Sequence, residues 1–193
     1  MKKSYVKATG FTLIELMVTV ALVAILMAVA VPSMTAFQRN AQLTSFSNTL
    51  LSAINAAKGE AMKRGRYAMV VPFDGSNWSS GWIVFVDINR SQIYEAATDV
   101  TLMTREATPS YLVVGVNGTA AESPPYIMFD ASGYVQKKGG GPANQTFTIN
   151  RNDVSGTDVF AQTRRIIISK PGRVRVCTPK AATDVNCLAS SQS

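Results

Sequence analysis

The sequence predicts an α+β fold in which one long N-terminal helix packs on a head of antiparallel β-sheet. The first observation is an apolar run from Phe11 to Val31, which continues as an amphipathic repeat as far as Ala61. The second is a series of short β-rich segments from Arg66 onward, separated by turn-forming residues. The third is that no second helical pattern follows, which favours antiparallel pairing over β-α-β units.

The first part of the helix, residues 11–37, is predicted to be a transmembrane helix. At about 1.5 Å per residue it is roughly 40 Å long, enough to cross the hydrocarbon core of a bilayer. Glu15 is the only charged residue between Ala8 and Gln38. The leader ahead of it, residues 1–10, contains three lysines, which are expected to keep the start of the chain in the cytoplasm and direct the rest outward.

The head is predicted to span residues 38–193, with an amphipathic helix at 38–65 and a β-rich part at 66–193. Apolar residues recur in this helix at spacings of three and four: Leu43, Phe46, Leu50, Ile54, Ala57 and Ala61. Gly65 follows two cations and is expected to end the helix. Seven strands are expected, at residues 67–71, 82–86, 112–116, 126–129, 146–149, 165–169 and 174–177.

A carboxylate near the start of an apolar helix needs a partner or a function, because its burial in lipid is costly. The segment Gly10-Phe11-Thr12-Leu13-Ile14-Glu15 resembles the class III signal of type IV pilins and of type II secretion pseudopilins. The resemblance implies that a prepilin peptidase cuts after Gly10 and that Phe11 becomes N-methylated. It also implies that Glu15 pairs with the N-terminal amine of a neighbouring subunit. After assembly, residues 11–37 would then form the filament-core helix. Two plainer interpretations remain, a secretory signal cleaved near Ala28-Val29-Ala30 and a simple single-span anchor.

The composition argues against an enzyme. The chain has no histidine, which excludes a Ser-His-Asp triad and a His-ligated metal. Residues 139–141 are glycines without the Lys-Ser/Thr of a phosphate loop. Asp87, Asp99 and Asp130 stand alone in the sequence and are expected to be solvated or to cap backbone groups. We therefore expect no catalytic residues, no metal and no cofactor.

Two cysteines, Cys177 and Cys187, lie ten residues apart near the C-terminus. Disulfides form and persist outside the cytoplasm, so a disulfide between these two residues is expected in an exported chain. Two free thiols are the alternative. These two cysteines are too few ligands for a zinc site.

The positive charge of the chain is concentrated in its C-terminal third. The net charge is +7, and residues 137–193 hold nine Lys/Arg against three aspartates. Residues 11–136 hold seven Lys/Arg against nine acidic residues. Such asymmetry raises the expectation of a polyanionic partner, although an ordinary solvated face can carry the same charge.

A cluster of basic residues accounts for much of this charge. Its members are Arg164, Arg165, Lys170, Arg173 and Arg175. Pro171-Gly172 fits the centre of a type II turn. The period-two alternation of a strand places Arg173 and Arg175 on one face, with Val174 and Val176 turned to the core. Guanidinium groups presented in this way match phosphate oxygens. Alternatively, they pair with acidic residues of a neighbouring pilin or solvate a strand edge.

The head resembles the GspH/FimT family of minor pilins at residues 78–89, 127–133 and 172–177. In the FimT branch, a Gly-Arg-x-Arg segment near the C-terminus is associated with DNA binding in natural transformation. The resemblance therefore implies a DNA-binding site at Gly172, Arg173 and Arg175, which we extend to Lys170, Arg164 and Arg165. Trp78, Trp82 and Phe85 are expected to be core residues. Arg90-Ser91-Gln92 replaces the glycine-bearing acidic turn of the family, which argues against a Ca²⁺ site there.

Three functions follow from this resemblance. A FimT-like pilin captures double-stranded DNA, a FimU-like pilin is a structural adaptor, and an H-type pseudopilin serves type II secretion. The expected partners are other pilins and minor pilins, the prepilin peptidase, the inner membrane and, for the first function, DNA. The expected location is the inner membrane with the head in the periplasm, followed by a pilus at the cell surface.

Overall fold

The computed structural model describes residues 10–188, apart from the side chains at positions 29 and 31–33. The predicted leader lies outside the described residues except for Gly10. The chain divides into two compact units, residues 1–41 and residues 42–193. A single helix, α1, spans Leu13–Arg64. Within the described part of the chain, no helix meets the length and hydropathy that a membrane crossing requires.

Helix α1 contributes one apolar face to the head. The six residues that define the predicted repeat, from Leu43 to Ala61, are all buried. The helix ends at Gly65, whose φ of +64° is the left-handed conformation that glycine adopts without steric cost. The N–H of Arg66 reaches back to the carbonyl of Ala61 at 3.2 Å, which satisfies a carbonyl that the helix itself leaves unpaired.

The β-rich part forms two four-stranded antiparallel sheets. The first sheet has the order β3-β2-β1-β5 and contains β1 (Ala68–Pro72), β2 (Trp82–Val86), β3 (Val100–Arg105) and β5 (Ile127–Phe129). The second has the order β4-β6-β7-β8 and contains β4 (Leu112–Val116), β6 (Gln145–Arg151), β7 (Thr163–Ile168) and β8 (Val174–Cys177). The predicted α+β fold class is confirmed.

Two elements were not predicted. Strand β3 lies at the edge of its sheet and is largely exposed, so its sequence lacks the apolar alternation of a half-buried strand. Helix α2 (Asp158–Ala161) has four residues, too few to establish a helical period. The seven predicted strands are present, with ends shifted by no more than two residues.

The main core fills the space between the amphipathic part of α1 and the two sheets. Its members include Leu50 and Ile54 from the helix, Val84 from the first sheet, and Phe147 and Ile166 from the second. These residues come from three different layers, so the helix and both sheets share one hydrophobic core.

The tryptophans in the segment that resembles the family, residues 78–89, are core residues, as expected. Trp78 packs edge-on against Phe147 with ring centroids 4.8 Å apart, and its indole N–H donates to the carbonyl of Ala120 at 2.8 Å. Trp82 packs in the same manner against Phe46 at 5.2 Å. Both rings contribute packing to the core, and the hydrogen bond of Trp78 also fixes the orientation of its indole.

Candidate nucleic-acid interface

The candidate interface is centred on the turn between β7 and β8. The N–H of Gly172 donates to the carbonyl of Ser169 at 2.8 Å, which places Lys170 and Pro171 at the centre of the turn. The predicted centre, Pro171-Gly172, is therefore wrong by one residue. The N–H of Ser169 also donates to the Arg173 carbonyl at 3.0 Å, so this pair closes the hairpin around a loop of three residues. In such loops the third residue is left-handed, and Gly172 has φ +75°.

Gly172 is also the point where the turn packs against the rest of the head. A Cβ atom at this position would lie 1.9 Å from the carbonyl oxygen of Gly133. The ammonium of Lys58 on α1 donates to the Gly172 carbonyl at 2.9 Å, and the N–H of Val135 donates to the Lys170 carbonyl at 3.1 Å. The turn is therefore held by α1 and by residues 133–135, which fixes the start of β8.

Strand β8 separates its charged and apolar side chains onto two faces. Val174 and Val176 pack against the main core, as the alternation predicts. Arg175 pairs with Ile167 of β7 and therefore lies on the opposite face. Lys170 and Arg173 are exposed at the turn, whereas Arg175 is half-buried.

A shallow groove beside the turn gives this face its shape. Its volume is about 320 Å³, and its lining residues are Ile167, Ser169, Pro171, Arg173 and Arg175. Two guanidinium groups thus lie along one groove next to a strand at the edge of its sheet. The arrangement can accept an extended anionic chain such as a sugar–phosphate backbone.

The C-terminal loop lies on the same face as Arg175. Cys177 and Cys187 form the predicted disulfide, which closes the loop between them. A guanidinium N–H of Arg175 donates to the Asn186 carbonyl at 2.9 Å, and one of Arg165 donates to the Cys187 carbonyl. Arg165 and Arg175 therefore also have a structural role, because each binds a backbone oxygen of this loop.

Arg164 does not belong to this face. It pairs with Ile149 in the sheet and points away from its neighbour Arg165, since successive strand residues alternate. Its guanidinium donates to the carbonyl of Ala161 at 2.8 Å and to the hydroxyl of Thr44 on α1 at 3.3 Å. Desolvation at this site lowers the pKa of Arg164 below its ordinary value. The structure thus separates Arg164 from the other predicted DNA-binding residues.

The disulfide loop gives a testable prediction. Replacing Cys177 and Cys187 with serine should lower the free energy of unfolding by roughly 2–3 kcal/mol, because the unfolded chain loses a short covalent loop. The head should remain folded, since its core does not depend on the loop. Urea denaturation measures the change, and alkylation with mass spectrometry of the native protein counts free thiols. Two alkylated cysteines in protein recovered from the periplasm would contradict the disulfide.

The predicted assembly residue Glu15 lies at the start of α1 and binds Thr12, a partner that was not predicted. Its carboxylate accepts hydrogen bonds from the N–H and the hydroxyl of Thr12, both at 2.9 Å. The N–H of Glu15 donates in return to the Thr12 hydroxyl at 3.3 Å. This reciprocal pair is a capping box, and the Thr-x-x-Glu spacing in the sequence is its recognised signal. Gly10 and Phe11, the predicted cleavage and methylation residues, are exposed.

The isolated acidic residues serve as caps for backbone groups. Asp87, although buried, accepts from the N–H of Ser91 at 3.1 Å and of Gln92 at 2.9 Å. Asp99 accepts from the N–H of Ile88 at 3.1 Å. Among residues 10–188, no group of three or more His, Cys, Asp or Glu residues is placed to hold a metal ion.

Comparison with known proteins gives the family. The profile of the type II transport protein GspH family matches residues 47–185, and that of the prokaryotic N-terminal methylation motif matches residues 6–31. No curated protein matches the chain in sequence.

Three solved structures are similar to the chain. Two are crystal forms of the Pseudomonas aeruginosa type IV minor pilin FimU. The form in space group P65 is 19% identical, with a TM-score of 0.51, over 69% of this chain and 91% of that chain. The form in space group P21 is 20% identical, with a TM-score of 0.52, over 73% of this chain and 92% of that chain. The Vibrio cholerae minor pseudopilin EpsH is 14% identical, with a TM-score of 0.46, over 72% and 99%.

The GspH profile covers well over half of the chain, including both sheets and the β7–β8 turn. The FimU structures share the fold, a long N-terminal helix with antiparallel sheets. The chain therefore belongs to the type II transport protein GspH family and carries the prokaryotic N-terminal methylation motif.

Proposed function

We propose that this minor pilin inserts into the inner membrane, is cleaved after Gly10 by the prepilin peptidase and is methylated at Phe11. It then assembles with other pilins into a type IV pilus, with the head outside the cytoplasm. In the pilus it binds double-stranded DNA through the β7–β8 turn and β8, and so serves DNA uptake in natural transformation.

The N-terminal segment supports the membrane and assembly steps. The large apolar side chains described between Phe11 and Met27 are mostly exposed in the single chain, with Phe11 87% exposed. Such a surface requires a lipid or protein environment. Glu15 is the one charged residue in this stretch, and its pairing with a neighbour's N-terminal amine would join adjacent subunits.

The position of Arg173 is the observation that carries the DNA-binding proposal. Arg173 is exposed at the start of an edge strand, and the turn before it is fixed by Lys58, Gly133 and Val135. Because the backbone of the turn is held, Arg173 leaves it in a defined direction, and its planar guanidinium can bind a phosphate in bidentate fashion. Arg175 lies beside it on the same groove and supplies a second contact.

Binding through such groups is expected to be independent of base sequence, because phosphates carry no sequence information. It is also expected to weaken steeply with salt, since each neutralised phosphate releases bound counterions. We therefore expect the full chain, in a non-ionic detergent, to bind duplexes of different sequence with similar affinity. The logarithm of the binding constant should fall linearly with the logarithm of the salt concentration.

The decisive variant is Arg173→Gln, because Arg173 lies at the exposed turn whereas Arg175 also binds the Asn186 carbonyl. We expect weaker binding and a salt slope less steep by about 0.9, the value for one phosphate contact. Arg175→Gln should have the same effect on the slope and should also loosen the C-terminal loop. Fluorescence anisotropy with a 24-base-pair duplex measures affinity and slope together.

Arg105→Gln is the matched control. Arg105 is exposed on the edge strand β3 and pairs with Trp82, opposite Pro72 at the end of β1. The β7–β8 turn instead packs on Gly133, a few residues beyond Phe129, which pairs with the start of β1. Strand spacings therefore place Arg105 and the β7–β8 turn near opposite ends of the first sheet, roughly 20 Å apart. Equal losses in Arg105→Gln and Arg173→Gln would indicate a diffuse positive field, and no binding by the unaltered chain would refute the DNA proposal.

A second candidate function is that of a structural minor pilin or an H-type pseudopilin without DNA binding. The observation in its favour is that Arg165 and Arg175 already hold backbone oxygens of the C-terminal loop. In that case deletion of the protein would impair pilus assembly or protein secretion, and Arg173→Gln would leave transformation frequency unchanged.

A further inference from the structure

We infer that the DNA-binding surface extends beyond the β7–β8 turn onto a second pair of arginines, Arg66 and Arg90. Together with Lys170 and Arg173 they form a basic rim around the loop Asp130–Gly133. The ligand of the rim is the sugar–phosphate backbone of duplex DNA, so this inference rests on the proposed function and enlarges its site.

Arg66 and Arg90 lie together although they are 24 positions apart in the sequence. Both line a cavity of about 240 Å³, whose lining also includes residues 130–132. A guanidinium N–H of Arg66 donates to the carbonyl of Ile88 at 2.7 Å, which ties Arg66 to the loop that carries Arg90. Both arginines are exposed, so their guanidinium groups face solvent beside the cavity.

The loop Asp130–Gly133 joins this cavity to the β7–β8 turn. Its first residues line the cavity, and its last residue packs against Gly172 so closely that a Cβ there would lie 1.9 Å from the Gly133 oxygen. Four residues span at most about 11 Å between their first and last Cα atoms. The arginines of the cavity and those of the turn therefore lie on either side of one short loop, a separation over which a duplex presents several phosphates.

The carboxylate that lines the cavity is bound by donors of its own loop. Asp130 is the acidic residue of the cavity lining. One of its oxygens accepts from the N–H of Ser132 at 2.8 Å and of Tyr134 at 3.0 Å. The other accepts from the side-chain amide of Gln136 at 2.7 Å. These neutral donors direct the oxygens of Asp130 into its own loop, so the guanidinium groups of the rim can hydrogen-bond an external anion. The carboxylate keeps its charge and offsets one of the four positive charges of the rim.

Lys58 of α1 binds the Gly172 carbonyl at the turn, whereas the two cations at the end of α1 do not add to the rim. Lys63 and Arg64 both bind the carboxylate of Glu60, at 3.1 and 2.6 Å. These are surface ion pairs within one helix, in which the acidic partner offsets part of the positive charge. The rim therefore consists of Arg66 and Arg90 at the cavity and Lys170 and Arg173 at the turn.

The test compares three variants of the full chain in a non-ionic detergent, with the 24-base-pair duplex as the probe. Arg66→Gln/Arg90→Gln removes the charges at the cavity, Arg66→Lys/Arg90→Lys keeps them, and Arg105→Gln is the control. We expect the glutamine pair to make the salt slope less steep by about 1.8, twice the value for one contact. The lysine pair should keep most of the slope, and the control should leave it unchanged.

Each other result separates this inference from the proposed function. If the glutamine pair binds like the unaltered chain while Arg173→Gln binds weakly, the rim is wrong and the turn remains the site. If the lysine pair loses as much as the glutamine pair, the arginines act through the fold of the loop and the rim is wrong. If DNA binding is unchanged but incorporation into pili is lost, the rim contacts a neighbouring pilin. If the unaltered chain binds no duplex, both proposals fail.

Discussion

Replacing Gly172 with alanine is expected to lower the free energy of unfolding of the head by about 2–5 kcal/mol. Its φ of +75° costs an L-residue about 1–2 kcal/mol. The added Cβ would also lie 1.9 Å from the Gly133 oxygen, a backbone atom that no side-chain rotation can move away. Relieving such an overlap by a backbone shift typically costs a further 1–3 kcal/mol or so. Urea denaturation followed by circular dichroism measures the sum.

Gly156 provides a matched control for the backbone contribution. Its φ is +71°, close to that of Gly172, but no atom lies within 4 Å of the position that a Cβ would take. Gly156→Ala should therefore cost only about 1–2 kcal/mol. If Gly172→Ala costs no more than this control, the close approach to Gly133 does not constrain the turn.

Gly172 and Arg173 contribute differently to the Gly-Arg-x-Arg segment. Gly172 cannot bind a phosphate with a side chain, and its carbonyl already accepts from Lys58. Its contribution is to let the turn lie against Gly133, which sets the direction in which Arg173 leaves the turn. The glycine and the arginine thus have different roles, since Gly172 positions the turn whereas Arg173 is the residue proposed to contact DNA.

The helix and most strands could be predicted because their signals are local. The buried face of α1 repeats every three or four residues up to Ala61, and Gly65 marks its end. The partition into two sheets could not be predicted, because β1 pairs with β5 across three intervening strands and a long stretch of chain. Pairing of this kind depends on the folded core, and no local pattern encodes it.

The faces of β8 could be predicted, but the partners of its arginines could not. Alternation places Val174 in the core and the arginines opposite, as the structure shows for Arg175. The hydrogen bonds of Arg165 and Arg175 depend on the path of the disulfide loop. The hydrogen bond of Arg164 depends on how close the folded chain brings it to Thr44 of α1. Thr12 was missed although its Thr-x-x-Glu signal was present, because the helix was predicted to begin at residue 11, which placed Thr12 inside the helix. The helix begins at Leu13, so Thr12 is its N-cap.

Replacing Glu15 with alanine is expected to reduce incorporation of the protein into pili by about tenfold or more, the effect of losing an ionic contact between subunits. Membrane insertion and leader cleavage should stay intact, because the apolar run and Gly10 are unchanged. Immunoblots of sheared pili and of the membrane fraction measure incorporation, and N-terminal sequencing of the mature protein shows whether it begins at Phe11.

Thr12→Ala separates the two roles that Glu15 combines. This variant removes the hydrogen bonds that the Thr12 hydroxyl forms with Glu15 but keeps the carboxylate. If Glu15 acts by pairing with the amine of a neighbouring subunit, Thr12→Ala should assemble nearly as well as the unaltered protein, with only a weakened helix start. Equal loss in both variants would show that Glu15 acts as a helix cap, and normal incorporation of Glu15→Ala would refute its role in assembly.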